Sequence, residues 1–260
     1  MKRTLKTRRR LWRAPLLLTA VALVTIAWAS TLPFDTVVHG HFKRMMHSGD
    51  TRGQVALSAL PQLPGRWGVG ALEGLRGEIV QVDGQLMVSR GDDAEGRVQP
   101  PRDGDRAVLF AGAQVKGWVE VPLPGALDAA GLERFVVEQA RARGIDVAQP
   151  FPFLVDGRFP TLVWHVVTGD APAPAGHAGP GAGHGGHGGG HANARSAMRV
   201  FDQPGAEGRL VGVYSGRALE GVVSHPGERT HLHYIDAARR VSGHVDAHRV
   251  AAGGVLRLPS

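Results

Sequence analysis

Cysteine is absent from this chain of 260 residues. That absence excludes disulfide bonds and thiolate metal ligands. The chain instead carries 13 histidines, so any metal site must be built from imidazole and carboxylate groups. The length is enough for one large domain or two small ones.

An excess of charge of one sign is also absent from the body of the chain. The formal net charge is +7, from 30 basic and 23 acidic residues. Seven of the basic residues lie within residues 1–29, which hold no acid, and removing them leaves 23 basic against 23 acidic residues. Because the body is balanced, the positive charge is local to the leader, and we expect no nucleic-acid partner.

Residues 1–29 have the pattern of an export signal. A positive cluster precedes an apolar run, and Ala27-Trp28-Ala29 fits a small-x-small cleavage site. The apolar run is short of the roughly 20 residues that a spanning helix needs. Two outcomes stay open: a cleaved signal peptide, or an anchor in which residues 11–29 are the chain's only contact with a membrane. In both, the body is exported, to the periplasm or the extracellular space.

Local patterns predict a mostly β body of the α+β class. Residues 75–88 alternate apolar and polar side chains around Asp83-Gly84, the pairing favoured in type I′ hairpins. Residues 34–48 predict a strand that enters a short helix. The only long helical pattern covers residues 127–143, and Gly144 follows its end.

The composition divides the chain into four segments. After the leader, 1–29, we expect an N-terminal part over residues 30–168. Residues 169–195 are almost entirely glycine, alanine, proline and histidine, which cannot bury a core and predict a flexible loop. Residues 196–260 return to short strands and form the C-terminal β part.

The Gly/His-rich loop allows two interpretations. Histidines spaced by glycine bind zinc, copper or nickel weakly and adaptably. A low-complexity linker with incidental histidines explains the same composition, and the sequence does not choose between the two. The histidines concerned are His177, His184, His187 and His191.

Three histidines near the C-terminus have the spacing of metal ligands. His231 and His233 stand at i and i+2 of a predicted strand, so their side chains point to the same face. His244 follows eleven residues later, and on a neighbouring strand it can complete a triangle of imidazoles. Three nitrogen ligands with an open position are typical of catalytic zinc sites. His39 and His41 also alternate, but solvated histidines at a strand end explain that pair better.

These residues, taken together, resemble the acetolactate decarboxylase family. The segment from Gly208 to Val245, with its His-x-His and Gly-His-Val motifs, is similar to the metal-binding core of that family. Residues 65–84 resemble the N-terminal hairpin of the family, and residues 153–159 resemble its central strand. The similar segments occur in the same order and cover roughly residues 34–250.

The resemblance implies a fold, a cofactor and a reaction. It implies an N-terminal mixed sheet with one main helix, packed on a C-terminal β-barrel-like part, in a homodimer. It also implies a zinc enzyme that converts 2-acetolactate, or a related 2-hydroxy-3-keto acid, to acetoin and carbon dioxide. His231, His233 and His244 match the zinc ligands of the family, and Glu78 matches a glutamate that handles protons.

Some positions depart from the family pattern. His165 stands where the family has an arginine that holds the substrate carboxylate, and Ala71 stands where it has a threonine. The family also carries a glutamate in its C-terminal tail, and no glutamate follows His244 here. By strand alternation, Asp246 and His248 should share the face of His244 and could replace that glutamate.

Three hypotheses follow from these matches and departures. The first is an exported zinc-dependent decarboxylase. The second is an exported metal-binding relative without decarboxylase activity, which binds or buffers zinc or copper. The third is an exported β-rich domain in which the histidines have only a structural role.

Overall fold

The computed structural model describes residues 33–169, 197–225 and 227–260. The predicted leader and nearly all of the predicted Gly/His-rich loop, with its four histidines, lie outside the described residues. Within the described ranges, no helix has the length and apolar character needed to cross a membrane.

Two β-sheets and one main helix form the described part of the chain. The first sheet has seven strands. Their ranges are β1 Phe34–His39, β2 Val55–Ala56, β3 Arg66–Leu72, β4 Gly77–Val82, β5 Gln85–Arg90, β6 Val98–Gln99 and β7 Arg106–Val115. The strand order is β1-β7-β3-β4-β5-β6, and β2 pairs with β7.

The second sheet has nine strands. Their ranges are β8 Trp118–Pro122, β9 Leu127–Asp128, β10 Phe151–Phe159, β11 Thr161–Val167, β12 Met198–Asp202, β13 Ala206–Tyr214, β14 Thr230–Asp236, β15 Ser242–Val250 and β16 Val255–Pro259. The order is β12-β11-β15-β14-β13-β10-β16-β8, and β9 pairs with β15. Strands from both sides of residues 170–196 therefore share this sheet.

The structure confirms the predicted class, an α+β fold that is mostly β. Two details differ from the expectation. Every strand pair of the first sheet is antiparallel, because β3, β4 and β5 follow one another through short connections, whereas parallel neighbours need crossovers of a dozen or more residues. In addition, the second sheet ends at the edge strands β12 and β8, so it stays open and does not close into a barrel.

The predicted hairpin and the two predicted helices are present. Asp83 and Gly84 join β4 to β5 with φ of 50° and 88°, the positive values that a type I′ turn requires. A short helix, α1, covers Phe42–Ser48. The main helix, α2, covers Ala129–Ala142, and the Asp128 side chain accepts a hydrogen bond from the Gly131 N–H at its start.

One apolar core joins the two sheets and α2. Strands β3 and β4 of the first sheet contact β11, β13, β14 and β15 of the second. Val80 and Val82 of β4 belong to this core, whereas Ile79 packs in a separate cluster on the opposite face of the first sheet. Because strand side chains alternate between faces, Glu78 projects from the same face as Val80, towards the second sheet.

The hairpin turn gives the first testable prediction. Gly84 has φ of +88°, and a Cβ atom there would lie 2.5 Å from the Leu63 carbonyl oxygen. Gly104 has φ of +84° with nothing within 4 Å of such a Cβ atom. Alanine at either position costs about 1–2 kcal/mol of unfolding free energy for the backbone conformation alone. We expect Gly84→Ala to lower the free energy of unfolding, measured in urea, by more than the control Gly104→Ala does. Equal losses would contradict the steric contact.

Candidate metal centre

Strands β14 and β15 bring the three predicted ligands together. His231 and His233 lie on β14, and His233 pairs directly with His244 of β15. One ring nitrogen from each of the three residues lies within 4.8 Å of the others. In the described part of the chain, no other group of histidine, aspartate and glutamate side chains meets this criterion.

The glycine before His244 allows β15 to approach its neighbour. Gly243 is buried, and a Cβ atom there would clash with the carbonyl oxygen of His165 and the ring of Trp164 on β11. A glycine at this point therefore lets β11 and β15 pair closely, with His165 directly opposite His244. The Gly-His-Val motif thus has a packing reason as well as a chemical one.

Burial keeps the three imidazoles neutral. It lowers the pKa of His231 to about 4. It lowers the pKa of both His233 and His244 well below the ordinary value, and the neighbouring imidazoles act in the same direction. Neutral imidazole is the form of histidine that binds a metal ion, so a cation need not displace protons from these rings near pH 7.

The distances fit a tetrahedral ion such as zinc. The Nε2 atoms of His231 and His233 are 3.2 Å apart, and two nitrogens bound to zinc at about 2.0–2.1 Å stand roughly 3.3 Å apart. The Nδ1 atoms of both rings are buried without a hydrogen-bond partner. Because the two Nε2 atoms face each other at this distance, they are the ring nitrogens that would bind a metal ion.

Glu78 reaches the histidines from the other sheet. Its Oε2 lies 3.6 Å from His233 Nε2, and its Oε1 accepts a hydrogen bond of 3.4 Å from the Val167 N–H. Burial raises the pKa of this carboxyl to about 8, although the nearby His165 opposes the shift. Glu78 is therefore largely protonated near neutral pH and can donate a proton.

Small side chains flank Glu78 on both neighbouring strands. Ala71 of β3 and Ser89 of β5 stand directly opposite it. Ala71, at the position of the family threonine, offers no hydrogen bond to the carboxyl. Ser89 is buried and its hydroxyl has no partner. Sequence reasoning did not identify Ser89, because only the strand register places it beside Glu78.

A β-bulge aims Asp246 at His165. Val163 pairs with Ala247 but Trp164 pairs with Val245, so Asp246 is the extra residue on β15. Its carboxylate oxygens lie 2.8 and 2.9 Å from His165 Nδ1. Burial alone would lower the pKa of His165, but Asp246 and Glu78 together raise it above the ordinary value.

The same bulge overturns the prediction that His248 shares the face of His244. Beyond the bulge, His248 pairs with the buried Leu162, whose side chain lies on the opposite face of β11 from His165. Burial there lowers the pKa of His248 to about 4. An extra residue reverses the alternation of every residue after it, which the sequence pattern did not reveal.

Two other histidine positions are settled by the fold. His225 lies beside the centre, with its ring 6.0 Å from the His244 ring and 4.2 Å from the Phe42 ring. His39 pairs with Phe110 at the end of β1, and neither His39 nor His41 joins the metal-ligand group.

Comparisons with known proteins bear on the fold. The crystal structure of α-acetolactate decarboxylase from Bacillus subtilis strain 168 matches with a TM-score of 0.64, over 86% of this chain and 85% of that one, at 18% sequence identity. The described chain has the acetolactate decarboxylase fold. A Staphylococcus aureus protein of unknown function, similar to α-acetolactate decarboxylase, matches with a TM-score of 0.61 over 86% and 84% of the two chains, at 14% identity.

The likeness to acetolactate decarboxylases is structural. No protein-family profile matches the chain, and no curated protein matches it in sequence. At 14–18% identity, the similarity establishes the arrangement of the strands. The chemistry has to be argued from the side chains at the centre.

Zinc binding gives the second testable prediction. We expect zinc to raise the melting temperature of the metal-free protein and to bind near one equivalent by calorimetry. His233→Ala should abolish the shift, because it removes one of the three ligands. His248→Ala is the matched control, since that histidine is on the same strand as His244 but on the other face. A zinc shift that survives in His233→Ala would contradict this ligand set.

Proposed function

We propose that this protein is an exported, zinc-dependent decarboxylase of the acetolactate decarboxylase family. It would convert 2-acetolactate, or a related 2-hydroxy-3-keto acid, to acetoin and carbon dioxide. One observation carries the proposal: Glu78 of the first sheet meets the three histidines of the second, within 3.6 Å of His233, in the acetolactate decarboxylase fold.

The ligand set favours zinc as the metal. The three rings are neutral, one ring nitrogen of each lies within 4.8 Å of the others, and the cysteine-free chain offers no thiolate alternative. Three histidines leave an open position for substrate oxygen atoms. Zinc held by His231, His233 and His244 would supply Lewis-acid stabilisation of the negative charge that develops on those oxygens.

Glu78 supplies the proton that the reaction needs. Loss of carbon dioxide breaks a carbon–carbon bond, and the electron pair left behind delocalises into the adjacent carbonyl group of the substrate. A proton must then be added to the carbon that carried the carboxylate, which gives acetoin. Burial raises the pKa of the Glu78 carboxyl, which favours its protonated form, and its position on one side of the histidines favours delivery to one face.

His165 takes the place of the family arginine as the group that holds the substrate carboxylate. Its ring lies 5.0 Å from the His244 ring, and Asp246 fixes its Nδ1 atom. The other ring nitrogen is then the one available to a ligand. A single imidazole nitrogen lacks the two-pronged donor geometry of arginine, so we expect the carboxylate to be held less tightly than by the arginine of the family.

The remaining parts of the proposal concern location and partners. The positive cluster and apolar run of residues 1–29 support export, to the periplasm or the extracellular space, with inner-membrane anchoring if the leader is retained. The partner in the reaction is a small-molecule keto acid. The resemblance to the family supports a homodimer.

A decarboxylation assay is the third prediction and tests the function directly. The zinc-loaded protein should form acetoin from racemic 2-acetolactate above the spontaneous background. His231→Ala should abolish the activity, and Glu78→Gln should lower kcat by about 10²–10⁴-fold, since general acid catalysis contributes that much. His248→Ala should keep most of it.

A negative assay would favour the alternative function, a metal-binding relative that buffers zinc or copper without decarboxylating. His165 and Ala71 replace two family residues while the metal-binding histidines are kept, which is the observation behind this alternative. Tightly bound zinc without acetoin would overturn the decarboxylase proposal for 2-acetolactate.

The fourth prediction concerns Asp246. Asp246→Asn removes the charged partner of His165, and hydrogen bonds to charged groups contribute about 1.5–3 kcal/mol. We expect KM for 2-acetolactate to rise about tenfold or more, with zinc content unchanged. Asp103→Asn, an exposed aspartate on the first sheet's β6–β7 connection, is the control. An unchanged KM in Asp246→Asn would contradict the role of His165 in holding the carboxylate.

A further inference from the structure

An arginine-rich cleft lies at the end of the first sheet where β4 begins and β5 ends. Its volume is about 820 Å³, within the range of small-molecule sites. Five arginines line the cleft: Arg52, Arg76, Arg90, Arg102 and Arg106. Three acidic side chains also line it, Glu73, Asp92 and Asp105, so positive charge is in excess.

Three of these arginines have no carboxylate partner among the described residues. Arg76 forms no ion pair there, Arg102 donates to the Gln99 side chain, and Arg106 donates to the Gly53 carbonyl oxygen. Glu73 and Asp92 form no ion pair with a described residue, and together with Asp105 they balance only three of the five arginine charges. Cations that share one cleft without acidic partners repel one another, and a bound anion would relieve that repulsion.

The floor of the cleft carries buried polar atoms without partners. The Arg90 side chain is only 9% exposed, and its outer nitrogens pair with Asp105 at 2.5 and 3.3 Å. The Arg90 Nε and the Thr168 hydroxyl are both buried without a hydrogen-bond partner. Buried polar groups in folded proteins nearly always have a hydrogen-bond partner. The Arg90 Nε and the Thr168 hydroxyl lack one, which points to a ligand in the cleft that binds them after small movements of these side chains.

Backbone hydrogen bonds hold the walls of the cleft in place. The Gly74 N–H donates to the Thr51 carbonyl at 2.8 Å, and the Gly91 N–H donates to the Arg76 carbonyl at 2.9 Å. Asp105, besides pairing with Arg90, accepts a hydrogen bond of 2.7 Å from the Arg102 N–H. The cationic groups are thus presented on a fixed backbone frame, which lowers the entropic cost of binding.

The Arg90 side chain and the metal centre lie on opposite faces of the first sheet. Ser89 pairs with Glu78 and therefore shares the face of the metal centre. Arg90 is the next residue of β5, so its side chain projects from the other face. A ligand held by Arg90 would therefore be separate from a substrate held at His231, His233 and His244.

We propose that this cleft binds a multivalent phosphate-type anion, such as the diphosphate group of a small phosphorylated compound. Guanidinium groups match phosphate oxygens with paired hydrogen bonds. Several unpartnered guanidiniums in one cleft suit an anion with several charged oxygens better than a single carboxylate. The class of ligand rests on this charge and geometry, and it is independent of the reaction at the metal centre.

Pyrophosphate binding to the full chain tests this proposal. Calorimetry and thermal unfolding are carried out at constant ionic strength, because exposed charges are screened by salt. We expect pyrophosphate to bind and to raise the melting temperature. The double variant Arg76→Gln/Arg106→Gln should weaken binding by about tenfold or more, which is about 1.4 kcal/mol. Both side chains are exposed, so the variant should fold.

Two controls make the result specific. Arg134→Gln/Arg141→Gln removes the same charge from exposed positions of α2 and should leave pyrophosphate affinity unchanged. His233→Ala, tested without added zinc, should also leave it unchanged. Absence of binding, equal weakening by the two arginine pairs, or loss of binding in His233→Ala would each overturn the cleft as the anion site.

Discussion

The apolar contact between the two sheets is the constraint on which the candidate centre depends. Val80 and Val82 place one face of β4 against the second sheet, and that packing carries Glu78 into the same dry region as His233. Neither sheet alone contains both the carboxyl and the imidazoles. The burial of apolar surface that stabilises the fold therefore also assembles the groups proposed to act on the substrate.

Removal of water has opposite consequences for the two kinds of group at the centre. It disfavours the charged form of each, so the buried histidines lose their protons while Glu78 keeps its own. The pKa of His231 falls to about 4 and that of Glu78 rises to about 8. A single physical cause thus prepares a set of neutral metal ligands and a proton donor near pH 7.

His165 escapes this trend because of a local irregularity in β15. The bulge at Asp246 turns a carboxylate toward the His165 ring, and the negative charge raises the pKa of that histidine. The bulge also sends His248 to the opposite face, where burial keeps it neutral. The bulge therefore gives His165 a carboxylate partner and places His248 on the face away from the metal ligands.

Local sequence determined the elements whose physics is local. Asp83-Gly84 specified the hairpin, because few residue pairs accept positive φ at two successive positions, and the period of residues 127–143 specified α2. The spacing of His231 and His233 placed both side chains on one face of a strand. Tertiary structure alone decided which strands are neighbours. The same long-range contacts leave the second sheet open at its edges, and they produce the bulge in β15, the position of Ser89 beside Glu78 and the arginine-rich cleft. Those features depend on contacts between residues far apart in the chain, and a strand's alternating pattern shows which face is buried without specifying which distant strand it pairs with.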